Sequence, residues 1–444
     1  MADALAAHAA KRDSLVEALR HARGVDARPV ALGKDTSNLF RDRTASARRR
    51  LDVRGFNQVL SVGDDFVEAE GMISYEDLTR ECLAHGVMPA VVPQLKTITL
   101  GGAVAGVGIE SSSHRYGLVH DTLLELDVLL GDGRVVNCTA DNAHADLFHG
   151  FPNSYGTLGY ALRVKAKTVP VKPYVRLTHL PFNDFAELER RLDAGEADFI
   201  DGTVFSPQQM FITLGRFADS APYTSDYTYE NIYYRSIAGK REDYLTVQDY
   251  LWRWDTDWFW CSKNVFAQNA FVRKFLYGKQ RLGSKTYTKI MRWNSRVGVT
   301  RKLERLLGLH SEPVIQDVDI PLSRAAEFLG FYSKEIQLWP QWICPIGVAK
   351  SDFVLYPVKQ GWYVNFGFWD VKRTREAHPP GHFNRLIEEK VSELGGIKSL
   401  YSDSYFAEAD FYRRYGGAAY DALKKKYDPT GAFPRLYEKC VLKA

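Results

Sequence analysis

Residues 100–117 read LGGAVAGVGIESSSHRYG. Five glycines, three consecutive serines and one histidine fall within this run. That composition suits neither a regular helix nor a strand, because glycine costs about 0.5–1 kcal/mol relative to alanine inside either element. Bare backbone permits close approach, either of another chain segment or of a ligand. GVGIES resembles part of a G-x-G-x-x-G dinucleotide loop, but Ser111 stands at the third glycine and no clean strand–turn–helix surrounds it. A Walker A loop is excluded, since no G-K-[ST] follows. Two readings remain. One is a structural turn packed on a strand. The other is an anion cradle, with backbone N–H groups and serine hydroxyls facing a pyrophosphate.

Two further loops favour the cradle. GKDTSNLFR, residues 33–41, offers Thr36, Ser37 and Asn38 as donors. NSYGTLGY, residues 153–160, sets Gly156 and Gly159 around Thr157. Three donor-rich loops in one region suit a long, extended cofactor such as FAD.

The pattern outside the loops divides the chain. Residues 1–28 form an N-terminal helical segment, with Leu5, Leu15, Leu19 and Ala22 spaced for one face. RPVALG, RRRLDV, QVLSVG and FVEAEG read as short strands. SYEDLTRECLAHG reads as a helix begun by Ser74 and closed by Gly86. DTLLELDVLLGDGRVVNCT reads as a hairpin turning at Gly131-Asp132-Gly133. Together they make an α+β domain over residues 29–172. Character shifts near Pro170–Pro173. A second α+β domain, 173–400, holds the strands YVRLTHL, DGTVFS, PVIQDVDIPL and GWYVNFGFWD, with an aromatic and basic block at 245–309. Residues 401–444 are expected to return to the first domain.

Composition sets outer bounds. At about 100–200 residues per domain, 444 residues allow two or three domains. The N-terminus lacks the pattern of a signal peptide, and no apolar run reaches the roughly 18 residues of a spanning helix. The five cysteines are scattered without a C-x-x-C pair, which suits a reducing cytoplasm and neither zinc nor a disulfide framework. Between Arg273 and Arg305 there are eleven basic residues and one acid, a local +10 on a remainder of −6. A solvated helical face or attraction to anionic lipid explains that run; nucleic acid is not expected, since no recognised fold or repeated motif supports it.

The succession VVPQLKTITLGGAVAGVGIESSSHRYG, LLELDVLLGDGRVVNCT and DLFHGFPNSYGTLGYALRVKA resembles the FAD-binding domain of the vanillyl-alcohol-oxidase superfamily. GIESSSHRYG and GTLG resemble, more narrowly, the Diminuto/Dwarf family, which includes sterol side-chain reductases. PVIQDVDIPL, WPQWICPI, LYSDSYF and DPTGAFPRLYEKC extend the resemblance over most of residues 30–440. DYLWRWDTDWFWCSKNVFAQN is similar to a bacterial branch that includes reductases of methylene-branched fatty acyl chains.

The resemblance implies an α+β fold: an FAD-binding domain of two subdomains, and an α+β cap over the substrate. It implies FAD contacts from Thr36, Ser37, Asn38, Thr99, Gly101, Gly102, Gly106, Gly108, Ser111, Ser112, Ser113, His114, Gly117, Gly156, Thr157 and Gly159. Many relatives hold flavin covalently through His or Cys in the first loop. GKDTSNLFR has neither, so non-covalent FAD is expected, with His114 the position for a covalent link otherwise. No metal is expected. NADPH or NADH is the implied electron donor, docking transiently or acting through a partner, since no nicotinamide-binding Rossmann motif is visible. Implied partners are a lipid-like substrate, an anionic membrane surface and a lipid-modifying enzyme. The implied location is cytoplasmic, at the membrane periphery.

Reducing an isolated C=C bond requires a hydride and a proton, and protonation builds charge resembling a tertiary cation. A positioned acid and nearby aromatic faces meet that need. Glu110, Asp317 and Tyr401 are the candidate proton donors, with Asp403 and Tyr405 behind them. Gln316 and Asp317 point to opposite sides of an extended strand, so one of them can face the flavin. Each carboxylate also has an ordinary structural reading, as does the lone His310. Trp252, Trp254, Trp258 and Trp260 read as a packed core, a substrate tunnel or a membrane-facing edge. Alternatives to the reductase are an alcohol oxidase or dehydrogenase of the same superfamily, and a non-catalytic flavin- or lipid-binding membrane protein.

Overall fold

The computed structural model describes residues 2–25, 29–34, 40–41, 49–195, 197–298, 300, 304, 306–347, 352–359 and 361–443. Its strands sort into three sheets, and the sorting follows the chain. Val30–Gly33 and Arg49–Asp52 form a parallel pair. The strands from Val59 to Pro170 form a six-stranded antiparallel sheet, centred on the long strand Tyr160–Pro170. Every strand from Tyr174 onward belongs to an eight-stranded antiparallel sheet. In that sheet His310–Pro321 lies between Trp362–Thr374 and Ile397–Lys398.

Local signals explain many of these elements. Ser74 Oγ accepts from the Asp77 N–H at 3.2 Å and starts the helix Tyr75–Ala84. Such a cap contributes about 1 kcal/mol. Leu123–Leu129 and Val135–Cys138 pair as the expected hairpin, closed by Leu130 N–H donating to Arg134 O. The first helix, Ala2–Val25, buries Leu15 and Leu19 against Val30, Leu51 and Tyr160, while Leu5 is exposed.

The glycine run departs from expectation. Residues Leu100–Ala105 form a short helix, capped by Thr99 Oγ1 accepting from Gly102 N–H at 3.3 Å. Burial of Leu100, Ala103 and Val104 offsets the cost of two glycines. A Cβ at Gly101 would lie 2.8 Å from Gly71 O, and one at Gly71 would lie 2.1 Å from Ala161 O. Here the bare backbone first serves the close packing of helix on sheet.

Two other expectations are corrected. LYSDSYF is not a strand, so Tyr401, Asp403 and Tyr405 do not share a strand face; among the described residues its one ladder contact is a bridge between Ser402 and Phe40. The four tryptophans of the 252–260 block are buried, which removes the membrane-edge reading for them.

Residues 401–444 reach back to the first sheets. Val30 N–H donates to Ala432 O, and the Tyr160 and Phe433 rings sit 4.9 Å apart. Lys424 Nζ donates to Thr157 O at 2.7 Å, which ties the C-terminal helix Gly417–Tyr427 to the later glycine turn.

Candidate flavin and substrate cavity

One cavity of about 320 Å³ collects segments from across the fold. Thr99, Gly101, Gly102, Gly106 and Gly108 line it from the first glycine run, and Gly156 and Gly159 from the second. Arg41 and Lys439 add positive charge to the wall. Gln94 contributes a buried carboxamide. Trp258, Phe259, Trp342, Trp369, Phe40 and Tyr401 supply aromatic faces.

Other sequence-predicted contacts lie elsewhere. Thr36, Ser37 and Asn38 lie outside the described residues. Ser111, Ser112, Ser113, His114, Gly117 and Thr157 do not line the cavity. Their polar atoms are satisfied within the protein. Ser111 Oγ donates to Glu110 Oε1, Ser112 Oγ to Ala90 O, and Thr157 Oγ1 to Ser154 O. Ser113 Oγ accepts from Glu110 N–H. Both ring nitrogens of His114 meet backbone carbonyls, of Ser111 at 2.9 Å and Ala197 at 3.2 Å.

Glu110 is also turned away from the cavity, into a buried network. Arg253 Nη2 donates to Asp201 Oδ2 at 2.7 Å and reaches Glu110 Oε1 at 3.4 Å. Its guanidinium lies 4.0 Å from the Tyr250 ring centroid. Trp342 Nε1, from the cavity wall, donates to the same Asp201 oxygen at 3.1 Å. Burial raises the Glu110 pKa and the Arg253 charge opposes that rise. The network joins the glycine run to the eight-stranded sheet.

Asp317 and Tyr401 do meet at the cavity. Asp317 projects from His310–Pro321, while Gln316 faces the other way and donates to Asn384 Oδ1 at 2.6 Å. Asp317 Oδ1 has no hydrogen-bond partner among the described residues. Burial pushes the Asp317 carboxyl up to about 7; the Tyr401 hydroxyl opposes this, and the nearby Asp319 carboxyl adds to it. Asp319 itself is satisfied by Tyr356 and Asn365, and burial raises it to about 6. Tyr401 Oη accepts from Trp369 Nε1 at 2.8 Å, and burial together with the Asp317 charge raises its pKa.

The register explains why Asp317 has room. Gly367 lies opposite it, and a Cβ there would sit 2.4 Å from the Trp369 ring and 2.7 Å from Asp317 Oδ1. Around this end, Phe259 lies 4.2 Å from Trp369 with the rings tilted by 30°, and Phe40 lies 5.4 Å from Trp258. Trp258 and Phe259 both hold positive φ, at 45° and 58°. Such strain costs of order 1–3 kcal/mol per residue and persists where surrounding packing enforces it.

Comparison with known proteins now bears on this geometry. A family described as an FAD binding domain matches residues 4–139, which takes in the first helix. Delta(24)-sterol reductase of Pisum sativum is 25% identical over 448 residues, covering 88% of this chain and 76% of that protein. Delta(24)-sterol reductase of Homo sapiens is 26% identical, covering 84% and 73%. These matches support the Diminuto/Dwarf resemblance over most of the chain. Cytokinin dehydrogenase 7 of Oryza sativa subsp. japonica is 24% identical, over 85% of this chain and 74% of that protein.

The residues present fit FAD. Besides Asp317 Oδ1, both polar atoms of Gln94 and Arg41 Nη2 are buried at this cavity without partners among the described residues. Unpartnered buried groups cost about 1–3 kcal/mol each, so a polar ligand that meets them binds favourably. The glycine backbones, Arg41 and Lys439 would hold the phosphates and ribityl chain. Arg41 was not among the expected contacts, although it closes the loop GKDTSNLFR and its charge beside three donors was a signal for it. Gln94 and Lys439 carry no local signal of their own.

With His114 engaged by two carbonyls and off the cavity wall, flavin is expected to be non-covalent. Purified protein should be yellow, and acid or heat should release all of the flavin. Flavin that stays with the denatured chain, located by peptide mass spectrometry, contradicts this.

Proposed function

We propose that this chain reduces an isolated C=C bond in a lipid-like substrate, a methylene-branched fatty acyl chain or a sterol side chain. The observation carrying the reading is the Asp317 carboxyl, with one oxygen unpartnered, set among aromatic rings at the cavity. When bound there, FAD supplies the hydride from its N5. Asp317 holds the proton to be added at the other alkene carbon. Tyr401 orients Asp317 and is itself fixed by Trp369. An unactivated alkene develops cationic charge as it is protonated, and a ring face stabilises such charge by about 0.5–2 kcal/mol. Phe259, Trp369 and Trp258 offer those faces and exclude water. Glu110 acts instead through structure, by holding the glycine run to the cap. NADPH or NADH is the proposed reductant, since the relatives' reaction, as their names state it, is a reduction.

Lipid mass spectrometry of cells with and without the protein tests the reading. Loss of the protein should accumulate a lipid two daltons lighter than its reduced product, and the lipid class distinguishes acyl chain from sterol. The likeness to Cytokinin dehydrogenase 7 favours a second reading, in which substrate is oxidised. Rapid reoxidation by O2 with alcohol turnover, and no alkene-dependent reoxidation, would select it.

A further inference from the structure

The basic block hides an apolar surface that its charge count does not show. Phe266, Phe271, Phe275 and Leu276 are exposed by 74%, 66%, 66% and 61%. Single exposed hydrophobics are ordinary, but four large ones within eleven residues form a patch. Phe271 and Phe275 stand one turn apart with ring centroids 4.8 Å from each other. The ridge is braced from beneath. Arg273 turns inward to Asp257 at 2.7 Å, and the Tyr277 hydroxyl donates to Val265 O at 2.9 Å. Its side chains are therefore held outward rather than left on a loose loop.

Charge surrounds the ridge. Lys274, Lys279 and Arg281 are exposed along the same segment. The next helix, Ser284–Val297, exposes Lys285, Lys289 and Trp293 at helical spacing, and it joins the ridge where Tyr277 meets Tyr287 at 5.9 Å. No Asp or Glu occurs between residues 273 and 297; Asp226 approaches Lys279 at 3.7 Å and Glu76 pairs with Lys285, while the segment as a whole keeps a positive excess. A second copy of this chain would bring like-charged rims together. An anionic bilayer supplies both an apolar layer and opposite charge, the combination that interfacial segments rich in aromatics and lysine favour.

We infer that Phe266, Phe271, Phe275 and Leu276 insert into the interfacial layer of an anionic bilayer, with the neighbouring lysines and arginines at headgroup depth. The stretch just before the ridge supplies Trp258 and Phe259 to the cavity wall. The inference goes beyond the reductase reading. It rests on the surface alone, so vesicle binding and alkene reduction fail or succeed separately.

Flotation of the full-length protein with phosphatidylcholine vesicles, with and without phosphatidylglycerol, tests it. Wild type should bind the anionic vesicles at least about tenfold better, and high salt should weaken but not abolish binding, since salt screens charge and not apolar burial. The triple variant Phe271→Ser, Phe275→Ser, Leu276→Ser should lose about tenfold or more of that binding at every salt concentration. Lys274→Gln with Lys289→Gln should lose binding at low salt and match wild type at high salt. If the triple variant does not fold, Phe275→Glu alone carries the same expectation. Absence of wild-type binding, or full binding by the ridge variants, overturns the inference. So does a wild-type dimer in sedimentation equilibrium that the ridge variants dissociate.

Discussion

Asp317→Asn is expected to leave reduction of the flavin by NADPH or NADH near the wild-type rate and to slow alkene-dependent reoxidation by about 10²–10⁴-fold. Asparagine keeps the shape of the carboxyl and its reach toward Tyr401, but it has no acidic proton to give. The pH dependence has a definite sign. A general acid works in its protonated form, and burial lifts the Asp317 carboxyl to about 7. The alkene half-reaction should therefore be flat at low pH and fall about tenfold per unit above 7. Asp319, raised to about 6 by burial, lies two residues away on the same strand, so the observed limb belongs to the pair. In the Asn variant the residual rate should lose this limb. Tyr401→Phe should shift the limb upward, because the tyrosine hydroxyl normally draws the Asp317 pKa down. Stopped-flow measurement of each half-reaction separates these outcomes. A normal reoxidation rate in Asp317→Asn would remove it as proton donor; loss of flavin from the variant would reassign it to holding the cofactor.

The second large effect falls on stability. Arg253→Met is expected to lower the unfolding free energy by about 3–5 kcal/mol, the range for breaking a buried ion pair by removing one partner. Arg253 is 3% exposed and Asp201 also 3%, so water cannot replace the lost guanidinium. Glu110 and Asp201 would remain buried as two like charges with no cation between them. Combining Arg253→Met with Asp201→Asn and Glu110→Gln should recover much of the loss, since neutral side chains need no counter-ion. Glu110→Gln alone should leave alkene-dependent reoxidation within a few-fold of wild type. Urea denaturation followed by tryptophan fluorescence reads the first effect, and a wild-type midpoint for Arg253→Met would show that the network carries no net stabilisation. A hundredfold loss in Glu110→Gln would return that residue to the chemistry.

These two sites show what kinds of information local sequence carries. Ser74 announces a helix start because a cap acts on amides only two or three residues away, whereas the cap at Thr99 was masked by the glycines that follow it. The hairpin at Gly131–Gly133 is legible for the same reason. The alternation of a strand put Gln316 and Asp317 on opposite faces before any fold was known. Which face met the cavity was not legible, since that depends on the partners of the whole sheet.

Hydroxyls and aromatics were the least legible. Ser111, Ser112 and Ser113 are donors by chemistry, and a glycine-rich setting suggests an anion as acceptor. Their acceptors are Glu110 and the carbonyl of Ala90, or, for Ser113, the donor is Glu110 N–H. A sequence shows that a polar group exists, while only packing shows what satisfies it. Trp252 to Trp260 and Phe266 to Leu276 are equally apolar in the chain. The first set is buried and the second exposed, because Arg273 and Asp257 pair beneath the ridge and turn it outward.

The sequence by itself determined the flavoprotein resemblance, most of the α+β elements and the placement of the glycines, because each rests on short runs whose backbone chemistry is local. Only the tertiary structure decided which residues share the cavity. Arg41, Asp317, Tyr401 and Lys439 converge there from segments up to about four hundred residues apart. Such convergence is set by sheet order and by the return of the C-terminal segment, long-range terms that no window of sequence contains.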